Sequence, residues 1–285
     1  MAAKGVDISE NNGKVDFAQL KIAGIGFVLL RCGYGSDYEN QDDGRFLENV
    51  SKAQKTGMPY GVYLYSYALN AIQAESEANH ALRLLSQVPK PAYGVWFDME
   101  DADHYKANHG MPANSVLVDI CDIFCKRISE EGYHAGIYAS LSWLENELND
   151  PRLDRYDKWV AQWNSVCEYK KEYGIWQFTD QLYIGGKRFD GNWAYRDYPS
   201  LSQKKEEQAL NETQIRKIVQ EEIASYFVQQ AKKPASSWAQ PAVAYCKENG
   251  IMNGDKDGTF RPQSFITRQE SAQVAMELHK QMKQP

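Results

Sequence analysis

Long apolar runs are missing from this chain of 285 residues. No segment approaches the ~18 consecutive apolar residues that a membrane-spanning helix needs, so no membrane partner is expected. A basic excess is missing too. Thirty-two Lys and Arg stand against 38 Asp and Glu, for a net charge of −6. Nucleic acid calls for a basic face, so it is not an expected partner. Cysteine is scarce. Cys32, Cys121, Cys125, Cys167 and Cys246 are odd in number and widely scattered, a poor disulfide framework. Buried thiols made in a reducing compartment are the expectation. Cys121 and Cys125 stand one helical turn apart, but no His or Cys cluster joins them, and no metal or other cofactor is expected. Met1-Ala2-Ala3-Lys4-Gly5 runs straight into a strand without the apolar core of a secretory signal. Synthesis in the cytoplasm without a signal peptide is therefore expected.

Aromatic residues are plentiful by contrast, with 18 Tyr and 7 Trp. They serve packing, and they also stack on sugar rings. Strands alternate with helices from residue 4 to 199. Candidate strands cover 5–8, 26–31, 59–66, 93–97, 134–138, 158–162, 175–178 and 187–189. Several are apolar on both faces, as in a parallel sheet covered by helices. Helices fit over 42–56, 71–87, 115–131 and 141–148, with Gly57 and Gly132 as stops. This alternation predicts an α/β fold, a (β/α) barrel of irregular TIM-like form.

Composition changes after Pro199. Residues 201–233 are rich in Lys, Glu and Gln, and Ile215, Ile218, Val219, Ile223, Tyr226 and Phe227 fall at helical spacing. Asn211 with Gln214 reads as the start signal of that helix. Pro234 to Ser237 breaks it. A helix over 239–248, a turn-rich stretch and a second helix from Thr267, capped by Glu270, make a small C-terminal unit. The domain reading is a barrel over 1–199, a helical linker over 200–234 and a module over 235–285. Asp255-Lys256-Asp257-Gly258 invites comparison with a calcium loop. That loop needs acidic ligands at positions 1, 3 and 5 and a Glu at 12. Thr259 and Ile266 occupy the last two of these positions, so the stretch reads as a turn.

The most informative motif is Asp98-Met99-Glu100, behind the apolar run Tyr93-Gly94-Val95-Trp96-Phe97. Side chains of a strand alternate faces, so the two acids point to one side. Carboxyls in close quarters cannot both ionise easily, and one pKa rises. A raised carboxyl is what acid catalysis of glycoside cleavage requires. Asp7 ends the first candidate strand and Asp190 follows the last. First and last strands are neighbours in a closed barrel, so Asp7, Asp98, Glu100 and Asp190 converge at the C-terminal rim, where barrel enzymes keep their active sites.

An ordered series of segments carries a family resemblance. These are Gly5-Val6-Asp7-Ile8-Ser9, Gly26-Phe27-Val28-Leu29-Leu30-Arg31, Gly61-Val62-Tyr63, Asp98-Met99-Glu100, Gly136-Ile137-Tyr138, Trp159-Val160-Ala161-Gln162-Trp163, Ile175-Trp176-Gln177-Phe178 and Phe189-Asp190-Gly191-Asn192. Over about residues 4–198 the chain resembles the glycoside hydrolase family 25 (Chalaropsis-type) lysozymes, common among phage endolysins and autolysins. The resemblance implies an N-acetylmuramidase that cuts the β-1,4 bond from N-acetylmuramic acid to N-acetylglucosamine in peptidoglycan strands. It implies Glu100 as general acid. Asp98 would orient the N-acetyl group or stabilise developing positive charge, and Asp7 and Asp190 would tune the site. Tyr63, Tyr138, Trp163 and Gln177 would line the groove, and Arg31 would pair with the acids. Leu64-Tyr65-Ser66 stands where many relatives carry His-Phe, which alters groove polarity but removes no acid. Retaining and inverting mechanisms both stay open.

The C-terminal unit resembles a single S-layer homology motif, through Trp238, Ala242, Gly250-Ile251-Met252-Asn253-Gly254, Asp257-Gly258-Thr259-Phe260-Arg261-Pro262 and Ile266-Thr267-Arg268-Gln269-Glu270. The likeness implies a secondary cell-wall polymer as partner. Such modules usually occur in threes, so a homo-oligomer through residues 211–230 and the module is expected to supply avidity. The resulting expectation is a phage endolysin that reaches the wall after release. The alternatives are an endo-N-acetylglucosaminidase on a similar barrel and a wall-binding protein without catalysis.

Overall fold

Eight short strands close on one another in chain order: β1 (Ala3–Ile8), β2 (Phe27–Tyr34), β3 (Tyr60–Tyr65), β4 (Val95–Asp98), β5 (Ala135–Ser140), β6 (Asp157–Ala161), β7 (Ile175–Ile184) and β8 (Lys187–Ala194). The computed structural model describes residues 2–255 and 259–283, without the side chains of residues 203–211. It divides into two compact units, Met1–Gln208 and Ala209–Pro285.

In the first unit, strand periodicity sorts the side chains into two layers. Phe27, Leu29, Tyr63, Trp96, Tyr138 and Trp159 fill the barrel interior. Their chain neighbours Val28, Leu30, Val62, Leu64, Val95, Phe97 and Ile137 point outward into the layer under the helices. Those helices are α1 (Phe17–Ile22), α2 (Phe46–Thr56), α3 (Ala71–Leu85), α4 (Tyr105–Asn108), α5 (Asn114–Glu130) and α6 (Leu141–Glu145). Large interior rings need small neighbours. A Cβ on Gly136 of β5 would lie 2.3 Å from the Trp96 ring.

Neighbouring strands from β1 to β7 pair in parallel, but β8 is antiparallel to both β7 and β1. The sheet is therefore mixed, not parallel throughout as its apolar strands led one to expect. The cause is local. Gly185 and Gly186, at φ of 57° and 79°, form a two-residue hairpin turn between Ile184 and Lys187. Two successive positive φ angles are what such a turn demands. Two helices also differ from expectation. The helix expected from residue 42 begins at Phe46, with Asp42 instead bound to Arg83 at 2.6 Å and Asp43 to Arg31 at 2.9 Å. α1 has no counterpart among the expected helices.

The unit boundary falls within α7 (Tyr198–Lys232). Asn211 and Gln214, taken as a start signal, lie inside this helix. Pro199 sits in its first turn, where proline is tolerated, and neither glycine nor proline interrupts it before Lys232. Tyr198 is fully buried beneath the barrel, donating its hydroxyl to Asp157 at 2.8 Å.

The second unit adds α8 (Gln240–Glu248) and α9 (Arg268–Met282). Thr267 and Glu270 cap α9 reciprocally, with bonds of 3.2 and 2.7 Å. Neither helix buries a residue fully. Asp255 pairs with Arg261 at 2.6 Å. Residues 256–258, which include the rest of the turn compared with a calcium loop, lie outside the described residues.

Candidate active site

A cavity of about 570 Å³ opens at the rim where β1 to β7 end. Asp7, Asp98, Glu100, Asp190, Tyr63, Tyr138, Gln177 and Arg31 all line it. Asp7 and Asp98 face inward by strand alternation, like Trp96 two residues before Asp98. Asp190 arrives by a route the sequence concealed. It sits inside β8, not after it, and the reversed direction of β8 sets it opposite Asp7 in the register. Trp163 is the exception among the expected groove residues. It is 63% exposed and reaches the cavity wall only through its indole N–H, which donates to Gln177 Oε1 at 3.2 Å.

A hydrogen-bonded chain fixes the floor. Asn192 donates to Asp7 Oδ2 at 2.8 Å, and Trp159 donates to Asn192 Oδ1 at 2.8 Å. Gln177 donates to the same Asp7 oxygen at 3.1 Å and accepts from the Tyr138 hydroxyl at 3.1 Å. Arg31 binds Asp43 at 2.9 Å and Glu10 at 3.1 Å. Its ion pairs are thus made with these two loop acids, not with the four acids of the cavity.

Burial sets the protonation of those acids. Desolvation raises Asp7 well above the ordinary carboxyl value, and the nearby Asp190 charge raises it further. Asp190 is raised less, again by burial first and then by Asp180. Asp7, the more deeply buried of the two, is raised the more. Asp98 is also raised well above its ordinary value, by burial and then by Glu100. Its Oδ1 is buried with no hydrogen-bond partner in the protein. Buried polar atoms normally find a partner, so an orphan oxygen on a side chain of the cavity wall is suited to a donor on a ligand. Glu100 is less enclosed. Burial raises it to about 7, against the opposing pull of Lys106, and Asp103, Asp190 and Asp101 add to the rise.

A carboxyl poised near neutrality beside a more deeply buried acid can give a proton to a leaving oxygen. Among the described residues, no group of three or more His, Cys, Asp or Glu is arranged to hold a metal ion.

Sequence reasoning missed several residues of this site. Asn192 and Trp159 lay inside the family motifs, and Asn192 shares a face of β8 with Asp190, which period two alone would have found. Tyr65, Lys187 and Arg188, at strand ends, and Ser9 and Asn11, past β1, also line the cavity. Strand ends and the turns beyond them carry little periodic signal.

Residues 6–187 match the model of the glycosyl hydrolases family 25. The chain belongs to glycosyl hydrolases family 25. Residues 232–272 match the S-layer homology domain. The family 25 region is 23% identical to an autolytic lysozyme of Clostridium acetobutylicum over 184 residues, covering 64% of this chain and 52% of that protein. It is 22% identical to lysozyme M1 of Streptomyces globisporus over 192 residues, covering 64% of each. This family 25 chain thus spans between half and two thirds of those relatives. Among solved structures, it resembles the modular autolysin LytC of Streptococcus pneumoniae in complex with a synthetic peptidoglycan ligand. The TM-score is 0.62 at 27% identity, covering 68% of this chain and 47% of LytC.

Proposed function

We propose that this family 25 chain is an N-acetylmuramidase that cleaves the β-1,4 bond between N-acetylmuramic acid and N-acetylglucosamine in peptidoglycan. The observation that carries the reading is Glu100, a carboxyl with a pKa of about 7 opening on a cavity that three further acids line. Glu100 protonates the glycosidic oxygen as the bond breaks. Asp98 turns its orphan Oδ1 to the N–H of the substrate's N-acetyl group. That contact places the acetamide beside the anomeric carbon and stabilises positive charge developing there. Asp7, held by Asn192 and Gln177, shares its proton with Asp190 and keeps the floor from adding two full negative charges. Tyr63, Tyr138 and Gln177 shape the groove, and Trp163 offers an exposed ring at its margin. The relatives named as lysozymes support the same bond.

The S-layer homology unit holds the enzyme on secondary wall polymer, and together the two units act on Gram-positive walls in the manner of an endolysin. Copies associate through residues 211–230 and the C-terminal module. Ile215, Ile218, Val219 and Ile223 support this association, since each is at least half exposed along α7. A monomeric mass by light scattering at micromolar concentration would refute it. The test of catalysis is Glu100→Gln, which is expected to abolish lysis while wall binding persists. Lysis at the wild-type rate would remove Glu100 from the mechanism.

A further inference from the structure

Lys106, on α4, is a fully buried lysine beside the site but outside the cavity wall. A buried ammonium is costly unless its donors and its charge are both satisfied. Its Nζ donates to the main-chain carbonyl of Ser66, just past β3, and to that of Glu100, just past β4, at 2.9 Å. One side chain thus ties together the two strand ends that flank the acid. The loop between Glu100 and Lys106 is itself fastened. Asp101 accepts from the backbone N–H of Lys106 at 2.7 Å and of Ala107 at 3.1 Å, and His104 turns the chain at a φ of 59°. From α3, the fully buried Glu77 holds the other side of the same turn. It accepts from the Ser66 hydroxyl at 2.8 Å and from the Tyr67 N–H at 2.7 Å.

We propose that Lys106 is a positioning residue for Glu100, fastening the backbone of the acid to the neighbouring strand end and setting, through its charge, the alkaline limit of catalysis, with Glu77 as its counter-charge. The proposal rests on the reading of Glu100 as general acid. The charges around Glu100 come from several elements. Asp98, Asp101 and Asp103 stand on its own strand and loop, and Asp190 stands on β8. The phenols of Tyr65 on β3 and Tyr138 on β5 also face it. Arg31, Lys187 and Arg188 line the same cavity, but Lys106 exerts the largest effect of any charge on Glu100, and it acts against burial. Lys106 in turn faces Glu77, Asp98, Asp101 and the Cys121 thiol of α5. A lysine serving only to pack α4 would leave the titration of Glu100 unchanged when replaced by a neutral chain of similar length.

The experiment measures kcat and KM of the full chain on soluble glycan strands across pH. It compares wild type, Glu77→Gln, and Lys106→Met combined with Glu77→Gln, so that no lone charge stays buried. Loss of the ammonium raises the alkaline limb of the double variant by about one pH unit, the low end of a close opposite charge. It also lowers kcat with KM retained. Glu77 ionises near pH 7, so Glu77→Gln alone leaves the ammonium uncompensated on the alkaline side and moves the limb down. A folded double variant whose limb coincides with the wild type overturns the proposal. If the double variant does not fold, Glu77→Gln decides. A limb that moves down upholds the proposal, and one that stays or rises overturns it. An inactive wild type removes the reading of Glu100 and this inference together. An active wild type with unmoved limbs removes the inference alone.

Discussion

Raising the pH through neutrality should switch this site off by removing one proton. Burial lifts the Glu100 carboxyl from its ordinary 4.5 to about 7. A general acid works only in its protonated form, so kcat follows the protonated fraction. That fraction is about nine tenths one unit below the pKa and about one tenth one unit above it, a near tenfold fall per unit beyond about pH 8. Stability changes in the same window and must be separated from chemistry. Glu77 has a native pKa of about 7 against an ordinary 4.5, so the native state holds its proton more tightly than the unfolded chain does. Its contribution to stability is complete below about pH 4.5 and is lost as the pH rises through about 7. The assay is therefore initial-rate hydrolysis at constant ionic strength, with circular dichroism at each pH to confirm folding. Glu100→Gln is the companion variant. It should lose about 10²- to 10⁴-fold in kcat, the usual worth of a general acid, and its residual activity should lack the alkaline limb. A wild type whose rate stays level to pH 9 would refute the reasoning. So would a variant that keeps the limb.

Two further substitutions probe the scaffold. Asn192→Ala removes the acceptor of Trp159, leaving that buried indole N–H unpaired, and leaves Asp7 Oδ2 with Gln177 as its remaining side-chain amide donor. It should cost about 2–4 kcal/mol in urea unfolding followed by tryptophan fluorescence, and an unchanged midpoint would contradict the bonding described. Gly136→Ala places a methyl group 2.3 Å from the fully buried Trp96 ring. It should destabilise the barrel by about 3 kcal/mol, the upper part of the overpacking range, lowering the melting temperature by several degrees, and a melting curve superimposable on the wild type would refute the packing.

The sequence carried much of this architecture because strand alternation is a strong local signal. Gly26-Phe27-Val28-Leu29-Leu30-Arg31 reads as a two-faced strand before any partner is known, and so does the run behind Asp98. Direction was less legible. Nothing in Lys187–Phe189 alone says that β8 runs antiparallel, although Gly185-Gly186 between two strands carries the hairpin signal that would have told it. Asp190 was therefore brought to the right rim by the wrong route. The acids of the site were found because strand-end carboxylates form a short-range pattern. Lys106 and Glu77 stayed hidden because three of their four bonds in this turn are to main-chain atoms past the strand ends. Such contacts leave no periodicity in the chain. The start of α7 was misplaced because a capping signal at Asn211 competes poorly with an unbroken run of helix formers.

The central claim concerns which bond is cut. Purified Gram-positive peptidoglycan digested by the full chain, reduced with borohydride and analysed by mass spectrometry, reads it directly. Muramitol at the new ends is the outcome required of a muramidase whose acid is Glu100. Glucosaminitol at those ends would keep the barrel and its acids but move the cut to the other glycosidic bond.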